Sequence, residues 1–284
     1  MRRPLFCLVL AALGLAFAAP AQAVPPFPTL WSLKPGVDPP GVNPASCTLT
    51  PAHPVPVVLV HGTWMDRSIS WNVIGPKLAL DGYCVYSLDY GKRGTQKIED
   101  SAHEVSAFID SVLAQTGASR VSIVGHSQGG MMPRWIVKFL GGATKVDDLV
   151  AIAPSNHGSP QGNLSKYSAQ YGDSPAAADQ DAGSPFLTAL NADDETPQPA
   201  ASTGLQVSYT NIATTHDEIV TPSPTSQFLS GSPSEVTNVL LQDKCPNDQF
   251  EHIFLTDDPV VVQWVENALA TPGPADPAFA PICA

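Results

Sequence analysis

Positive charge is scarce in this chain: 14 Lys and Arg stand against 26 Asp and Glu, a net charge of −12. A surface this acidic repels phosphate backbones and anionic bilayers, so it excludes nucleic acid as a partner and argues against an anionic membrane surface. Long apolar runs are missing as well. The stretch from Leu5 to Phe17 is shorter than the ~20 residues a bilayer-spanning helix needs, and no later run is long enough. No integral membrane span is therefore expected. No cysteine pair has C-x-x-C spacing, which removes the usual argument for zinc, and the scattered Asp residues define no calcium site. There is no internal repeat. At 284 residues the chain has length for one large domain with a substantial core.

What is present begins with a targeting pattern. Met1-Arg2-Arg3 is a basic start, the apolar stretch follows, and Ala21-Gln22-Ala23 fits an A-x-A cleavage site. Residues 1–23 are expected to be a removable signal peptide, leaving a secreted, soluble protein that starts near Val24 with a net charge of −14. Cys7 leaves with the signal. Cys47, Cys84, Cys245 and Cys283 remain, an even number in an exported chain, which predicts two disulfides. Among three pairings, the nearest-neighbour set Cys47–Cys84 and Cys245–Cys283 is favoured because each pair brackets core elements. Each would contribute about 3–4 kcal/mol in the chain-entropy model. The second would pin the Pro/Ala-rich tail beside the loop carrying His252.

Residues 24–46 are rich in proline and aperiodic, and read as an extended arm lying on a domain that occupies 47–284. Within that domain, strands and helices alternate. Strand patterns cover Val55 to Val60, Cys84 to Tyr90, Val121 to Val124, Leu149 to Ala153, Leu205 to Ile212 and Val236 to Leu241. Helical periods cover Ile69 to Leu80, Ile98 to Leu113, Gln128 to Leu140 and Pro259 to Leu269. Pro133 is awkward inside the third of these, whereas Pro259 suits a first turn. The alternation predicts an α/β fold with a mostly parallel central sheet, helices on both faces, and a site at the C-terminal strand ends. Residues 155–204 break the rhythm and read as a small cap-like insertion.

Chemistry is written most clearly at Gly125-His126-Ser127-Gln128-Gly129-Gly130, directly after an apolar strand. This is a G-x-S-x-G nucleophile elbow: a sharp strand-to-helix turn holds the serine in a strained conformation and lifts its hydroxyl off the sheet. A serine hydroxyl needs a base, and the base needs an orienting acid. In the order Ser, acid, His, the late His252 is the candidate base, since His157 precedes every plausible acid. Asp217 is the candidate acid because it follows a strand through a short turn, with Glu218 as its direct competitor. Asp193 and Asp194, inside the insertion, are expected to be solvated. A tetrahedral intermediate needs two backbone N–H donors, expected from Gln128 and Thr63, with Trp64 as the reserve for the second and the Thr63 hydroxyl as a further donor. His61 and His126 flank tight glycine turns and read as structural. Trp64, Met65 and Met131, with Met132, suggest an acyl-binding cleft, although such residues also fill cores.

Together these residues resemble the secreted bacterial lipases of the class 2 lipase family, within the α/β-hydrolase fold. The resemblance is carried by Val58-Leu59-Val60-His61-Gly62-Thr63, the elbow, Ala153-Pro154-Ser155-Asn156-His157-Gly158, Asp217-Glu218-Ile219-Val220-Thr221-Pro222, and His252 ahead of Asp258-Pro259. It implies Ser127, Asp217 and His252 as a triad, Thr63 and Gln128 as the oxyanion hole, and hydrolysis of acylglycerols and simple esters without cofactor; a monomer is expected. An extracellular polyester or cutin-type depolymerase would use the same triad in a more open cleft. A peptidase or thioesterase would share the fold, and a non-catalytic binding protein would be expected to have lost a triad member.

Overall fold

Short runs of Val, Ile and Leu bounded by turn residues build a six-stranded sheet. β-Branched side chains pack well on a pleated surface with both faces covered. The computed structural model describes residues 36–283, so the expected signal segment and residues 24–35 of the arm lie outside the described residues. The strands are β1 (Val57–Val60), β2 (Val85–Ser87), β3 (Val121–His126), β4 (Val146–Ile152), β5 (Ser208–Ala213) and β6 (Val236–Leu240). Their order across the sheet is β2-β1-β3-β4-β5-β6, and every pairing is parallel. The chain steps to one side of β1 to make β2 and then to the other side to make β3. That switch point, at the C-terminal ends of β1 and β3, is where an open α/β sheet leaves a crevice.

Alternation along β1 divides the core in two. Val57 and Leu59 face one layer with helices α1 (Ile74–Leu80) and α7 (Pro259–Ala270). Val58 and Val60 face the other with α2 (Ile98–Thr116), α4 (Pro133–Phe139), and α5 (Pro175–Asp179) and α6 (Pro185–Asn191) of the segment between β4 and β5. On α2, Ile98, Ala102, Val105, Ile109 and Val112 form the buried stripe, and each Val or Ile contributes roughly 1.5–3 kcal/mol. Between β3 and α4 lies one short helix, α3 (Gln128–Met131).

Two helical expectations are corrected. The Ile69 to Leu80 period is split, because the backbone leaves helical geometry at the fully buried Trp71. The elbow helix is likewise two pieces, and the awkward Pro133 opens the second at its first turn, where no intrahelical N–H is needed. The described end of the arm covers an exposed edge: Asn43 N–H donates to Val85 O, and the Asn43 side chain pairs with both backbone groups of Ser87 on β2. Cys47 is bonded to Cys84 just behind it, and Cys245 to Cys283 at the other end of the domain.

Asp258 caps α7 by accepting from Val260 N–H at 2.8 Å, and it is fully buried. Burial, reinforced by the neighbouring Asp248 carboxylate, holds its carboxyl well above the usual carboxylate range. Between the ordinary value and the raised one, the unfolded chain has released a proton that the native state still holds, so stability falls as pH rises through that window. Asp258→Asn keeps a good cap and removes the ionisation. Thermal melts should show no gain near pH 4 and a Tm raised by about 2–4 °C at pH 8.

Candidate active site

The turn after β3 places Ser127 at φ 55° and ψ −122°, a conformation that side chains other than glycine rarely adopt. The sheet holds it there, because Ser127 N–H donates to Ile152 O at 2.8 Å and so extends the β3–β4 ladder into the strained residue. The turn also needs Gly129. A Cβ at that position would lie 2.1 Å from Val60 O and 2.4 Å from His61 O, so only glycine lets α3 descend against the end of β1.

Side chains from the segments that follow β5 and β6 converge on this serine. His252 Nε2 lies 3.0 Å from Ser127 Oγ, and His252 Nδ1 lies 2.7 Å from Asp217 Oδ2. All three are almost fully buried. An ionised carboxylate only accepts, so Nδ1 carries the proton and Nε2 presents its lone pair to the serine hydroxyl. Burial alone would raise the Asp217 carboxyl. Attraction to His252, the hydrogen bond from its ring, and the N–H groups of Val220 and Ile219 on Oδ1 outweigh that and hold the carboxyl below its ordinary value. Glu218, the competitor, is exposed to solvent.

Other histidines fall elsewhere. His157 pairs with Glu195 at 2.8 Å. His61 stacks on Tyr90 and is buried, with its pKa lowered to about 4 by desolvation. His126, buried and lowered to about 3 for the same reason, places Nε2 2.9 Å from the backbone oxygen of His252. A carbonyl can only accept, so the neutral His126 donates, and the residue preceding Ser127 holds the backbone of the histidine that faces it.

Gln128 opens α3, so its N–H has no intrahelical acceptor. The loop carrying Thr63 runs alongside. Thr63 Oγ1 donates to Gln128 Oε1 at 2.7 Å, which commits the hydroxyl proton to that side chain rather than to an open site. Trp64 sits at φ 59°, and its indole N–H donates to Gly172 O. Trp64 and Met65 are partly exposed, and Trp64 is close to Tyr171, with ring centroids 5.8 Å apart. Met131 and Met132, expected to line a cleft, are instead fully buried among α2 and α4 residues, because the short α3 turns them inward.

One buried side chain in this constellation carried no sequence signal. Gln227 is fully buried, and its Nε2 donates to Asp217 Oδ2 at 2.8 Å, the oxygen that also accepts the hydrogen bond from His252 Nδ1. It lies in a loop before β6 with no motif around it, so only the folded chain reveals the contact. Among the described residues no group of His, Cys, Asp and Glu is arranged to hold a metal ion, and no helix is long and apolar enough to cross a membrane.

Comparison with known proteins gives a consistent picture. A family model described as Lipase (class 2) matches residues 54–265. A triacylglycerol lipase of Vibrio cholerae is 32% identical over 112 residues, covering 38% of this chain and 33% of that protein. A triacylglycerol lipase of Pseudomonas fragi is 30% identical over 158 residues, covering 51% of this chain and 50% of that one. The chain thus spans between a third and a half of the length of these curated relatives. Among solved structures, lipase B of Aspergillus fumigatus superposes with a TM-score of 0.69 at 25% identity, covering 83% of this chain and 57% of that one. The mature lipase BlEst2 of Bacillus licheniformis gives 0.54 at 15% identity, covering 74% and 89%, a likeness of fold alone.

Proposed function

The chain belongs to the class 2 lipase family, and from that premise we propose that it is a secreted serine hydrolase of carboxylic esters, acting on acylglycerols and simple esters. The observation that carries this reading is the unbroken hydrogen-bonded line Ser127–His252–Asp217 at the end of the elbow strand. In the proposed reaction His252 Nε2 takes the Ser127 proton as Oγ attacks the ester carbonyl. The backbone N–H groups of Thr63 and Gln128 hold the resulting oxyanion, and His252 returns the proton to the departing alcohol. Water, deprotonated by the same ring, then attacks the acyl-enzyme, and the ring returns that proton to Ser127 Oγ as the C–Oγ bond breaks and the acid leaves. Asp217 holds the ring in the required tautomer and offsets its transient positive charge. Two disulfides and the A-x-A pattern support export, and the acidic surface favours an uncharged substrate. The chain is proposed to act as a monomer.

The test is a fluorophosphonate probe followed by peptide mapping, run beside a p-nitrophenyl ester series from acetate to palmitate. One adduct on Ser127, together with turnover of at least one ester, is expected. Absence of both would move the weight to a binding role. Rates that rise with chain length indicate a lipase-like cleft, and rates that fall indicate a short-chain esterase. Clearing of an emulsified polyester but not of triglyceride would favour the depolymerase reading.

Gln227 is proposed to orient the acid. Gln227→Leu removes the donor from Asp217 Oδ2 while keeping side-chain volume, so kcat should fall about 10- to 100-fold with KM within twofold. Steady-state kinetics on p-nitrophenyl butyrate would measure it, and an unchanged kcat would show that Asp217 needs no such partner.

A further inference from the structure

The segment between β4 and β5 sends one side chain into the loop that carries Thr63. Gln180 directly follows α5 and is fully buried. Its amide nitrogen donates to Ala176 O and to Thr63 Oγ1, both at 3.0 Å, with a longer contact of 3.5 Å to Gln128 Oε1, and its amide oxygen accepts from Ser155 Oγ at 2.8 Å. Because Ala176 O can only accept, the amide cannot be reversed without facing oxygen against oxygen. The arrangement therefore has a direction. Ser155, just beyond β4, donates to Gln180; Gln180 donates to Thr63 Oγ1; and Thr63, with that lone pair engaged, donates its own proton to Gln128 Oε1 at 2.7 Å.

Backbone packing supports the same placement. Ser159 N–H donates to Gln180 O, and Ala182 N–H donates back to Ser159 O. Gly158, at φ 73°, makes this approach possible, since a Cβ there would lie 2.5 Å from Gln180 O. The Thr63 loop is also fixed from its far side: Tyr90 Oη donates to His61 O at 2.6 Å and Arg93 donates to Trp64 O. Gln180 is the contact that reaches Thr63 itself.

We propose that Gln180 is a positioning residue for the oxyanion hole, setting the spacing between the Thr63 and Gln128 N–H groups through the Thr63 hydroxyl. The segment between β4 and β5 thereby contributes to turnover. This rests on Thr63 and Gln128 being the oxyanion donors. An oxyanion hole works by having its donors in place before charge develops, so a donor that wanders lowers kcat more than it alters ground-state binding. A side chain that only filled space would not act through the Thr63 hydroxyl.

A double-mutant cycle in the full chain separates these cases. Gln180→Leu should lower kcat on p-nitrophenyl butyrate about tenfold with KM within twofold, while in a Thr63→Val background the same change should alter kcat by less than about twofold. Ser155→Ala, which leaves the amide in place and removes only its anchor, should give a smaller kcat loss of about threefold that also vanishes with Thr63→Val. This second variant keeps the test decisive should Gln180→Leu fail to fold. Wild-type kcat in Gln180→Leu, or equal losses in both backgrounds, would overturn the proposal. An inactive wild type would instead defeat the ester-hydrolase reading on which it stands.

Discussion

Ser127→Ala is expected to lower kcat by about 10⁴-fold or more while leaving the protein folded. The loss is large because Oγ is the atom that would bond to the acyl carbon, and the 3.0 Å contact to His252 Nε2 serves nothing else. What would remain is the proposed oxyanion hole and substrate binding, which in serine hydrolases retain a residual rate over water. The fold should survive, because alanine carries the same Cβ as serine at φ 55° and the strain is unchanged. Its N–H still donates to Ile152 O. Purified variant and wild type would be compared by kcat on the best ester and by thermal melting. A Tm shifted by more than about 4 °C would mean that the hydroxyl has a structural role. Substantial esterase activity in the variant would remove Ser127 from the mechanism.

Gly129→Ala should cost more than about 4 kcal/mol of stability, beyond what most single substitutions cost. The added methyl would meet Val60 O at 2.1 Å and His61 O at 2.4 Å. Neither oxygen belongs to a flexible side chain. Val60 pairs with Gly125 in the middle of the sheet, so relief requires separating β1 from β3 or lifting α3 away from both. Either movement displaces Ser127 and the Thr63 loop together. Poor soluble yield, or a urea midpoint far below that of the wild type, is the expected result. A variant that melts like the wild type would mean that the elbow has room to move away from Val60 O and His61 O at little cost.

Strand positions were legible because buried parallel strands are short continuous apolar runs, and β1, β3 and β6 begin within two residues of the patterns that announce them. Helices were read less well where a buried aromatic or a proline interrupts the period, as at Trp71 and Pro133, since periodicity cannot see a break that tertiary packing imposes. Ser127, Asp217 and His252 could be nominated because their chemistry demands particular residue types in a particular chain order. Gln180 and Gln227 could not. A buried amide is chosen by the geometry of its neighbours: Gln180 reaches Thr63, 117 residues away, and Gln227 reaches Asp217 across an aperiodic loop. Met131 shows the converse, where apolar character beside a motif suggests a cleft and the short α3 turns the side chain into the core.

The hydrogen bond from His126 to the backbone of His252 joins two motifs that sequence reading treats as separate. Recombination between relatives would therefore not be free at these places. A chimaera that imports a late histidine loop of different backbone path, but keeps His126, would leave this donor aimed at an absent oxygen. Changing position 126 alone would loosen a loop 126 residues away in the chain. Anyone grafting the specificity of a relative onto this scaffold has to move the elbow and the histidine loop as one inherited unit.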